Sequence, residues 1–484
     1  EPQQVDEVLH DKSNRDLQLP YQRVNHFKAI SRTELIHSNE KTELELGFQR
    51  NFRQEFNRYT AHGFMDPVYP SYMTIPINLE RVYDKFIYSG NLKHSFSLSQ
   101  HQLQVGLNAD YQDNNISGWS FLIPGFKQFN TGLFLYDKYI INNELILHGA
   151  LRYDYGHIQF ERYDDWFGSE RTEGNLTITE RLTRAKSFAR DFNSFVWSAG
   201  INYNPSKLNI KVNLGKSFRM PIAKELAANG VNYHYFSYEK GNANLDAEVA
   251  YQADFSVTWT ESNWSVALSP FYNYFPNYIY LNPTPFHDRF YGAGNQVFEY
   301  EQSSVMRYGA ELKAKYQFLP SLSTEFLGEY LYSEQLSGDK KGYTIPFSPA
   351  PSALFNLTWS PKLAGRLNNT YISVDYRITA QQNDVVPPEK VTPGYQLVNL
   401  QLGTSVSVNS QKFDLSLQVQ NLFDAKYLNH TSFYRLIELP EAGRNIVLSL
   451  KVPFMKKSES QEKLSKCSII NRKKNHQKNS RINN

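Results

Sequence analysis

The chain has 484 residues, of which 40% are hydrophobic and 15% aromatic, with a mean hydropathy of −0.55 and a formal net charge of +3. It contains no run of about 18 apolar residues, which excludes a helical membrane protein. Its one cysteine, Cys467, excludes an intrachain disulfide and a cysteine-based metal site.

Seventeen short stretches alternate between apolar and polar residues. The last of them is the clearest, because Ile446, Leu448 and Leu450 recur at every second position with Ser449 and Lys451 between them. Successive side chains of a strand point to opposite faces, so this pattern predicts a ribbon with one apolar side. The predicted strands are 22–36, 41–50, 86–98, 101–112, 128–140, 144–155, 193–204, 207–217, 249–261, 263–275, 305–317, 321–333, 350–360, 367–377, 395–408, 411–421 and 445–454.

The connections between these strands are alternately short and long. The long ones are 51–85, 113–127, 156–192, 218–248, 276–304, 334–349, 378–394 and 422–444. Outer-membrane barrels have short periplasmic turns and long extracellular loops, whereas a soluble propeller gives no reason for every second loop to be long. The sequence therefore predicts an all-β fold, a transmembrane, antiparallel, up-and-down β-barrel with lipid outside and a polar interior.

The two ends of the chain carry separate expectations. Seventeen strands place the ends on opposite sides of the membrane, while single-chain bacterial barrels have an even number of strands. An open wall would also leave unpaired backbone in lipid. We therefore expect the barrel (21–454) to lack N-terminal strands and residues 1–20 to be the remnant of an extracellular loop. The tail 455–484, with nine Lys/Arg and two Asp/Glu, predicts a disordered, non-native extension rather than a nucleic-acid site.

Three stretches carry a resemblance to a known family. They are Ser217–Pro221 with Lys224–Leu226 and Glu239–Glu248, then Val419–Tyr427, and then Glu441–Asn445 leading to Phe454. In this order they resemble the TonB-dependent outer-membrane receptors over about residues 15–454. The resemblance implies the C-terminal part of a barrel of about 22 strands, with about five strands, the N-terminal plug domain and the TonB-binding segment missing.

We interpret the residues that match the family motifs as fixing loop geometry. Arg219 and Glu248 flank one long loop and are predicted to pair at its base, and Arg444 is predicted to pair with a loop carboxylate. Asn421 and Asp424 can bond to nearby backbone and start a loop. The complete set is Phe218, Arg219, Pro221, Glu225, Gly241, Asn242, Leu245, Glu248, Asn421, Phe423, Asp424, Tyr427, Gly443, Arg444 and Phe454.

The resemblance also implies a ligand held by extracellular loops, such as a ferric siderophore, haem, cobalamin, another metal or an oligosaccharide. Three loop segments combine aromatic residues with His or Arg, which suits stacking on a flat anionic catecholate complex, or ligation of haem iron, zinc or copper by a neutral His. The alternative is that these aromatics only pack the loops or form an interface girdle. The candidates are Tyr233, His234, Tyr235, Tyr238, His287, Arg289, His430, Tyr434 and Arg435.

The expected protein is a monomeric receptor in the outer membrane of a Gram-negative cell. It would import an iron complex, siderophore or haem, or another metal chelate, and would be energised by TonB through the plug domain. The sequence contains no enzyme signature, and we expect no cofactor and no nucleic-acid partner. Two alternatives stay open: a barrel enzyme or adhesin that acts through its loops, and a gene remnant without function.

Overall fold

The computed structural model describes residues 19–61, 63–173, 176–232, 235–288, 294–363, 365–408 and 411–452. Most of the predicted loop remnant at 1–20, the tail at 455–484 and Phe454 lie outside these residues. What was predicted for them stays a prediction.

The described residues form strands almost throughout, with one α-helix, α1 (Ala223–Ala227), and a 3-10 helix (Phe433–Ile437). The strands are β1 (Tyr21–His37), β2 (Glu40–Phe56), β3 (Leu79–Leu98), β4 (His101–Ser117), β5 (Phe126–Ile140), β6 (Leu145–Phe160), β7 (Tyr163–Asp164), β8 (Ser169–Glu173), β9 (Leu176–Glu180), β10 (Thr183–Ala185), β11 (Phe188–Tyr203), β12 (Leu208–Arg219), β13 (Asn229–Asn232), β14 (Ser237–Lys240), β15 (Glu248–Thr260), β16 (Trp264–Asp288), β17 (Asn295–Leu319), β18 (Leu322–Gln335), β19 (Ser352–Trp359), β20 (Leu367–Thr379), β21 (Tyr395–Val408), β22 (Gln411–Gln420) and β23 (Asn445–Lys451).

Seventeen of these strands form a continuous antiparallel wall in chain order, running β1–β6, β11, β12 and β15–β23. Each wall strand pairs with the next one along the chain, so the connectivity is up-and-down. The seventeen predicted strands are therefore confirmed, one for one. The remaining strands, β7–β10, β13 and β14, lie within the long loops.

The wall has two faces of opposite character, which we call the apolar face and the polar face. On the apolar face large side chains stay exposed, among them Leu133 (61%), Phe195 (52%) and Leu448 (74%). The polar face carries cross-strand ion pairs, such as Lys93 with Glu43 at 2.7 Å between Nζ and Oε2. Because side chains alternate along each strand, one register fixes both faces at once.

Aromatic side chains border the apolar face where the wall strands meet the short turns. Tyr203, Trp259, Tyr316 and Trp359 occupy this position on β11, β15, β17 and β19, and each is more than a third exposed. Such a band is typical of the interface between lipid and water. No helix within the described parts of the chain is long and apolar enough to cross a bilayer.

The long connection between β16 and β17 departs furthest from the sequence-based expectation. The predicted loop 276–304 instead continues β16 and β17 into a hairpin of two 25-residue strands, with register shifts at Phe275/Tyr278 and Pro283/His287. Beyond the apolar band the residues of this hairpin no longer alternate simply, so periodicity did not reveal it. β14 pairs with β17 in parallel, which ties this hairpin to the loop between β12 and β15.

Candidate functional site

The loop between β12 and β15 is fastened at its base by Arg219. This guanidinium donates to Glu225 Oε2 at 2.8 Å and to Glu248 Oε2 at 3.0 Å, so one cation joins the start and the end of the loop. Glu225 also accepts a hydrogen bond from the backbone of Ile222 at 2.9 Å, at the first turn of α1. The predicted pairing of Arg219 with Glu248 is confirmed.

Helix α1 packs against the wall through a buried apolar cluster. Leu226 and Leu245 of the loop form one buried cluster with Ile158 and Phe160 of β6 and Phe192 of β11. Phe218 packs at its edge, and Pro221 is buried beside the helix. The loop therefore lies on the wall rather than extending freely into solvent.

Two family-motif residues explain how this loop returns to the wall. Gly241 lies so close to α1 that an added Cβ would stand 2.6 Å from the backbone nitrogens of Ala227 and Ala228. The backbone N–H of Asn242 donates to the carbonyl of Glu225 at 2.7 Å. A side chain at position 241 would separate the two segments, which gives a physical reason for glycine there.

Within this loop a second ion pair, between half-buried Lys224 and buried Glu239, joins α1 to the hairpin of β13 and β14. Glu239 is fully buried, and its carboxylate lies 2.6 Å from Lys224 Nζ and accepts from Asn232 Nδ2 at 2.8 Å. Tyr238 is 2% exposed, and its hydroxyl donates to Asn229 Oδ1 at 2.8 Å. The polar groups of this hairpin are thus used in holding the loop together.

Aromatic rings from three long loops meet at the long-loop end of the wall. Tyr235 stacks on Phe433 with ring centroids 4.4 Å apart, Phe347 lies 4.4 Å from the same ring, and Phe236 lies 6.1 Å from Tyr434. Three of these rings remain exposed: Tyr235 (41%), Phe236 (38%) and Tyr434 (48%). We call Tyr235, Phe236, Phe347, Phe433 and Tyr434 the aromatic platform.

A buried ion pair lies next to the aromatic platform and connects the loops that form it. Arg435 and Glu389 are bonded to each other, and their side chains are only 4% and 1% exposed. The Arg435 guanidinium lies 4.9 Å from the Phe347 ring centroid, and its Nε donates to the His430 carbonyl at 2.6 Å. The pair therefore links the β20–β21, β22–β23 and β18–β19 loops, and burial raises the pKa of Glu389.

His430 lies beside this pair and is 4% exposed. Its Nδ1 is 2.8 Å from Thr392 Oγ1, and its buried Nε2 has no hydrogen-bond partner among the described residues. Burial, followed by the nearby Arg435 cation, lowers the pKa of His430 to about 4. The imidazole is therefore neutral at physiological pH.

The segment that follows β22 is shaped by two side chains of the second motif. The Asn421 amide donates to the carbonyl of Ala425 at 2.9 Å, and its oxygen accepts from the Ala425 N–H at 2.8 Å. Asp424 accepts from the backbone N–H of Arg444 at 2.8 Å, and an added Cβ on Gly443 would stand 2.6 Å from the same carboxylate. The predicted loop-starting role of Asn421 and Asp424 is confirmed, but Asp424 bonds to the Arg444 backbone, and not to its guanidinium.

Two further motif residues differ in environment. Tyr427 packs on Tyr395 with ring centroids 4.3 Å apart, whereas Phe423 is 74% exposed. Packing explains the aromatic residue at position 427, but no contact within the described part of the chain explains the one at position 423.

Sequence reasoning missed a second loop cluster, built around Trp119, Met65 and Phe167. Beside it Asp165 lies 3.5 Å from Arg184, and burial raises the pKa of Asp165 to about 6. Neither a motif nor a periodic pattern marks these residues. The one feature of the sequence that pointed to this region was the pair of adjacent acidic residues at 164 and 165.

The structure brings together only some of the predicted ligand residues. Tyr235 and Tyr434 meet in the aromatic platform; Tyr238, His430 and Arg435 are buried within the loops; and His287 is exposed on the β16–β17 hairpin. Tyr233, His234 and Arg289 lie outside the described residues. Within the described ranges no three His, Cys, Asp or Glu side chains are grouped to hold a metal. Ligand contact by these residues stays a prediction.

A wall of alternating faces, with an aromatic border and alternately short and long connections, defines the class of outer-membrane β-barrels. A family model described as "TonB dependent receptor-like, beta-barrel" matches residues 9–422. The chain belongs to this family, whose members are located in the outer membrane. No curated protein sequence matches the chain.

Solved structures of transport proteins share the fold at low sequence identity. The "Copper transporter OprC" has a TM-score of 0.67 and 16% identity, covering 89% of this chain and 66% of that one. The ferric-catecholate import receptor Fiu from E. coli K12, in its closed form, has a TM-score of 0.61 and 14% identity, covering 90% of this chain and 65% of that one. The ferric yersiniabactin uptake receptor FyuA from Yersinia pestis has a TM-score of 0.55 and 12% identity, covering 90% of this chain and 62% of that one. The chain thus spans about two thirds of the length of these proteins.

Proposed function

We propose that this chain is the barrel of a receptor that takes up a metal chelate, an iron–siderophore or haem being the favoured class. The observation that carries the proposal is the aromatic platform, where rings from three loops converge at the long-loop end and three of them stay exposed. In the outer-membrane orientation this end faces the outside of the cell. Uptake would then be energised by TonB through a plug domain.

The chemistry of the platform suits a flat, conjugated and anionic ligand. Exposed tyrosine and phenylalanine rings offer faces for stacking on catecholate or porphyrin rings. Lys224 Nζ lies 5.5 Å from the Tyr235 ring centroid, which places a cation beside the platform. Arg435 and Glu389 neutralise each other in a buried pair, whereas Glu239 only partly offsets the charge of the half-buried Lys224.

Of the predicted ligand residues, we therefore favour Tyr235 and Tyr434 for direct contact. His430 and Arg435 would act by holding the loop that carries Tyr434. As a receptor of this kind, the chain would bind and release its ligand without chemical change, and so would not act as an enzyme.

Replacing both Tyr235 and Tyr434 with alanine is expected to weaken binding of a ferric tris-catecholate complex or of haem by about tenfold or more. Quenching of intrinsic fluorescence in the detergent-solubilised full chain measures the dissociation constant of each. The matched control is Tyr72→Ala, since Tyr72 is a loop tyrosine with 66% exposure outside the platform. Binding by neither ligand, or equal affinities in the double variant and the control, would refute the proposal.

A further inference from the structure

The apolar face has a shallow groove near its short-turn end. There Asp137 of β5 faces Gly149 of β6, and Gly149 faces Ala199 of β11. The neighbouring positions on both sides of this row carry large side chains. They are Leu135, Leu151 and Trp197 on one side and Tyr139, Leu147 and Ile201 on the other. Between the large side chains of β5 and β6, Gly149 leaves a groove of about 380 Å³, whose lining includes Leu135, Tyr139, Leu147 and Leu151.

A hydrogen-bonded pair of His101 and Asp137 lies at one end of this groove. His101 Nδ1 is 2.7 Å from Asp137 Oδ2, the two side chains are 42% and 33% exposed, and the His101 ring stacks on Tyr139 at 4.4 Å. Asp137 Oδ1 is buried and has no hydrogen-bond partner among the described residues. A half-turn about χ2 exchanges the two oxygens, so the free oxygen can take the place of Oδ2. A carboxylate on a lipid-facing surface is costly unless a cation pairs with it. Because His101 is a cation only when protonated, the Asp137 carboxylate can still pair with a cationic ligand.

The height of the pair fits a lipid headgroup. Asp137 precedes the end of β5 at Ile140 by three residues, about 10 Å along the strand. That distance places the carboxylate near the membrane interface on the short-turn side, with the groove reaching into the hydrocarbon. In an outer-membrane barrel the short turns are periplasmic, so the groove faces the phospholipid leaflet.

We propose that this groove binds one phospholipid with an ammonium headgroup, such as phosphatidylethanolamine. One acyl chain lies over Gly149 between the large apolar side chains of β5 and β6, where its methylenes are removed from the mobile lipid. The ammonium group pairs with Asp137, and the phosphate lies beside His101. This proposal rests on the proposed function only in placing the chain in an outer membrane. The groove itself is separate from the aromatic platform, which lies at the opposite end of the wall.

The test is native mass spectrometry of the full chain in mild detergent with added phosphatidylethanolamine or phosphatidylglycerol. Gly149→Leu fills the groove. An added Cβ at this position meets only the Ser198 carbonyl oxygen, at 3.6 Å. Gly90→Leu is the matched control, because a Cβ there meets only Leu46, also at 3.6 Å. Gly90 lies on the apolar face away from the groove, so both substitutions add the same side chain to the same kind of surface.

The unmodified chain and Gly90→Leu are expected to retain one phosphatidylethanolamine, while retention by Gly149→Leu falls about tenfold. In Asp137→Asn the preference for phosphatidylethanolamine over phosphatidylglycerol should disappear while the acyl chain still binds. Equal retention by the two glycine variants, equal retention of both lipids by the unmodified chain, or retention of lipopolysaccharide instead would overturn the proposal. Chelate titration of the same samples separates the two proposals: loss of chelate binding with lipid retained contradicts the transport function alone.

Discussion

Arg435→Ala is expected to release the β22–β23 loop from its neighbours and to lower the free energy of opening this loop by about 3–5 kcal/mol. The reason is burial: the substitution leaves the Glu389 carboxylate, 1% exposed, without its cation. It also frees the His430 carbonyl, to which Arg435 donates at 2.6 Å. Hydrogen exchange of residues 422–444 in the intact protein measures the opening free energy.

A matched control lies between the same two loops. Lys390 and Glu438 form an ion pair at 3.5 Å, but their side chains are 86% and 76% exposed. Because solvent screens exposed pairs, Lys390→Ala should change the same free energy by about 0–1 kcal/mol. Similar protection of residues 422–444 in the two variants would show that Arg435 does not fasten the loop.

Acidification is expected to open the same loop through His430. The pKa of this imidazole is about 4 in the folded loop against an ordinary 6.5, so the open state binds the proton more tightly. The stabilising contribution is complete above pH 6.5 and is lost as the pH falls towards 4, about 3 kcal/mol in all at about 1.4 kcal/mol per pH unit. Hydrogen exchange between pH 7 and pH 4.5, corrected for the intrinsic rate, follows this loss.

Glu389 acts with the opposite sign, because its raised pKa lets the folded loop take up a proton first as the pH falls. Both the unmodified chain and His430→Gln contain Glu389. Subtracting their opening free energies at each pH therefore removes the Glu389 contribution and leaves that of the His430 imidazole. His430→Gln should flatten the pH dependence, whereas His287→Gln, at an exposed position on the β16–β17 hairpin, should leave it unchanged. An unchanged slope in His430→Gln would contradict the buried, neutral imidazole.

The wall was predictable from sequence because lipid and a polar interior impose a two-residue period on every strand. In β23 the apolar positions Ile446, Leu448 and Leu450 are 63%, 74% and 60% exposed, so their character reflects a lipid surface and not a packed core. The period fails where that surface ends. β2 therefore extends to Phe56 and β3 begins at Leu79, beyond the predicted 50 and 86.

The candidate site was predictable only where strand pairing determines it. Arg219 and Glu248 are the last and first residues of neighbouring strands, so their contact follows from the register. Tyr434 and Arg435 are adjacent in sequence, yet one is 48% and the other 7% exposed. Which of them faces solvent depends on Glu389 and Phe347, residues of other loops whose approach no local pattern encodes. The five residues of α1 are likewise too few to show a helical period.

The two-faced wall can be tested by placing single spin-labelled cysteines along β17 in a Cys467→Ser background. Collision rates with oxygen, which concentrates in lipid, and with a water-soluble nickel chelate report the surroundings of each label. Labels on the apolar face should favour oxygen and labels on the polar face the chelate, alternating with a period of two residues. Equal accessibility at all six positions, or alternation in the reverse phase, would contradict a barrel wall with lipid on its apolar face. The positions are 310, 312 and 314 on the apolar face and 311, 313 and 315 on the polar face.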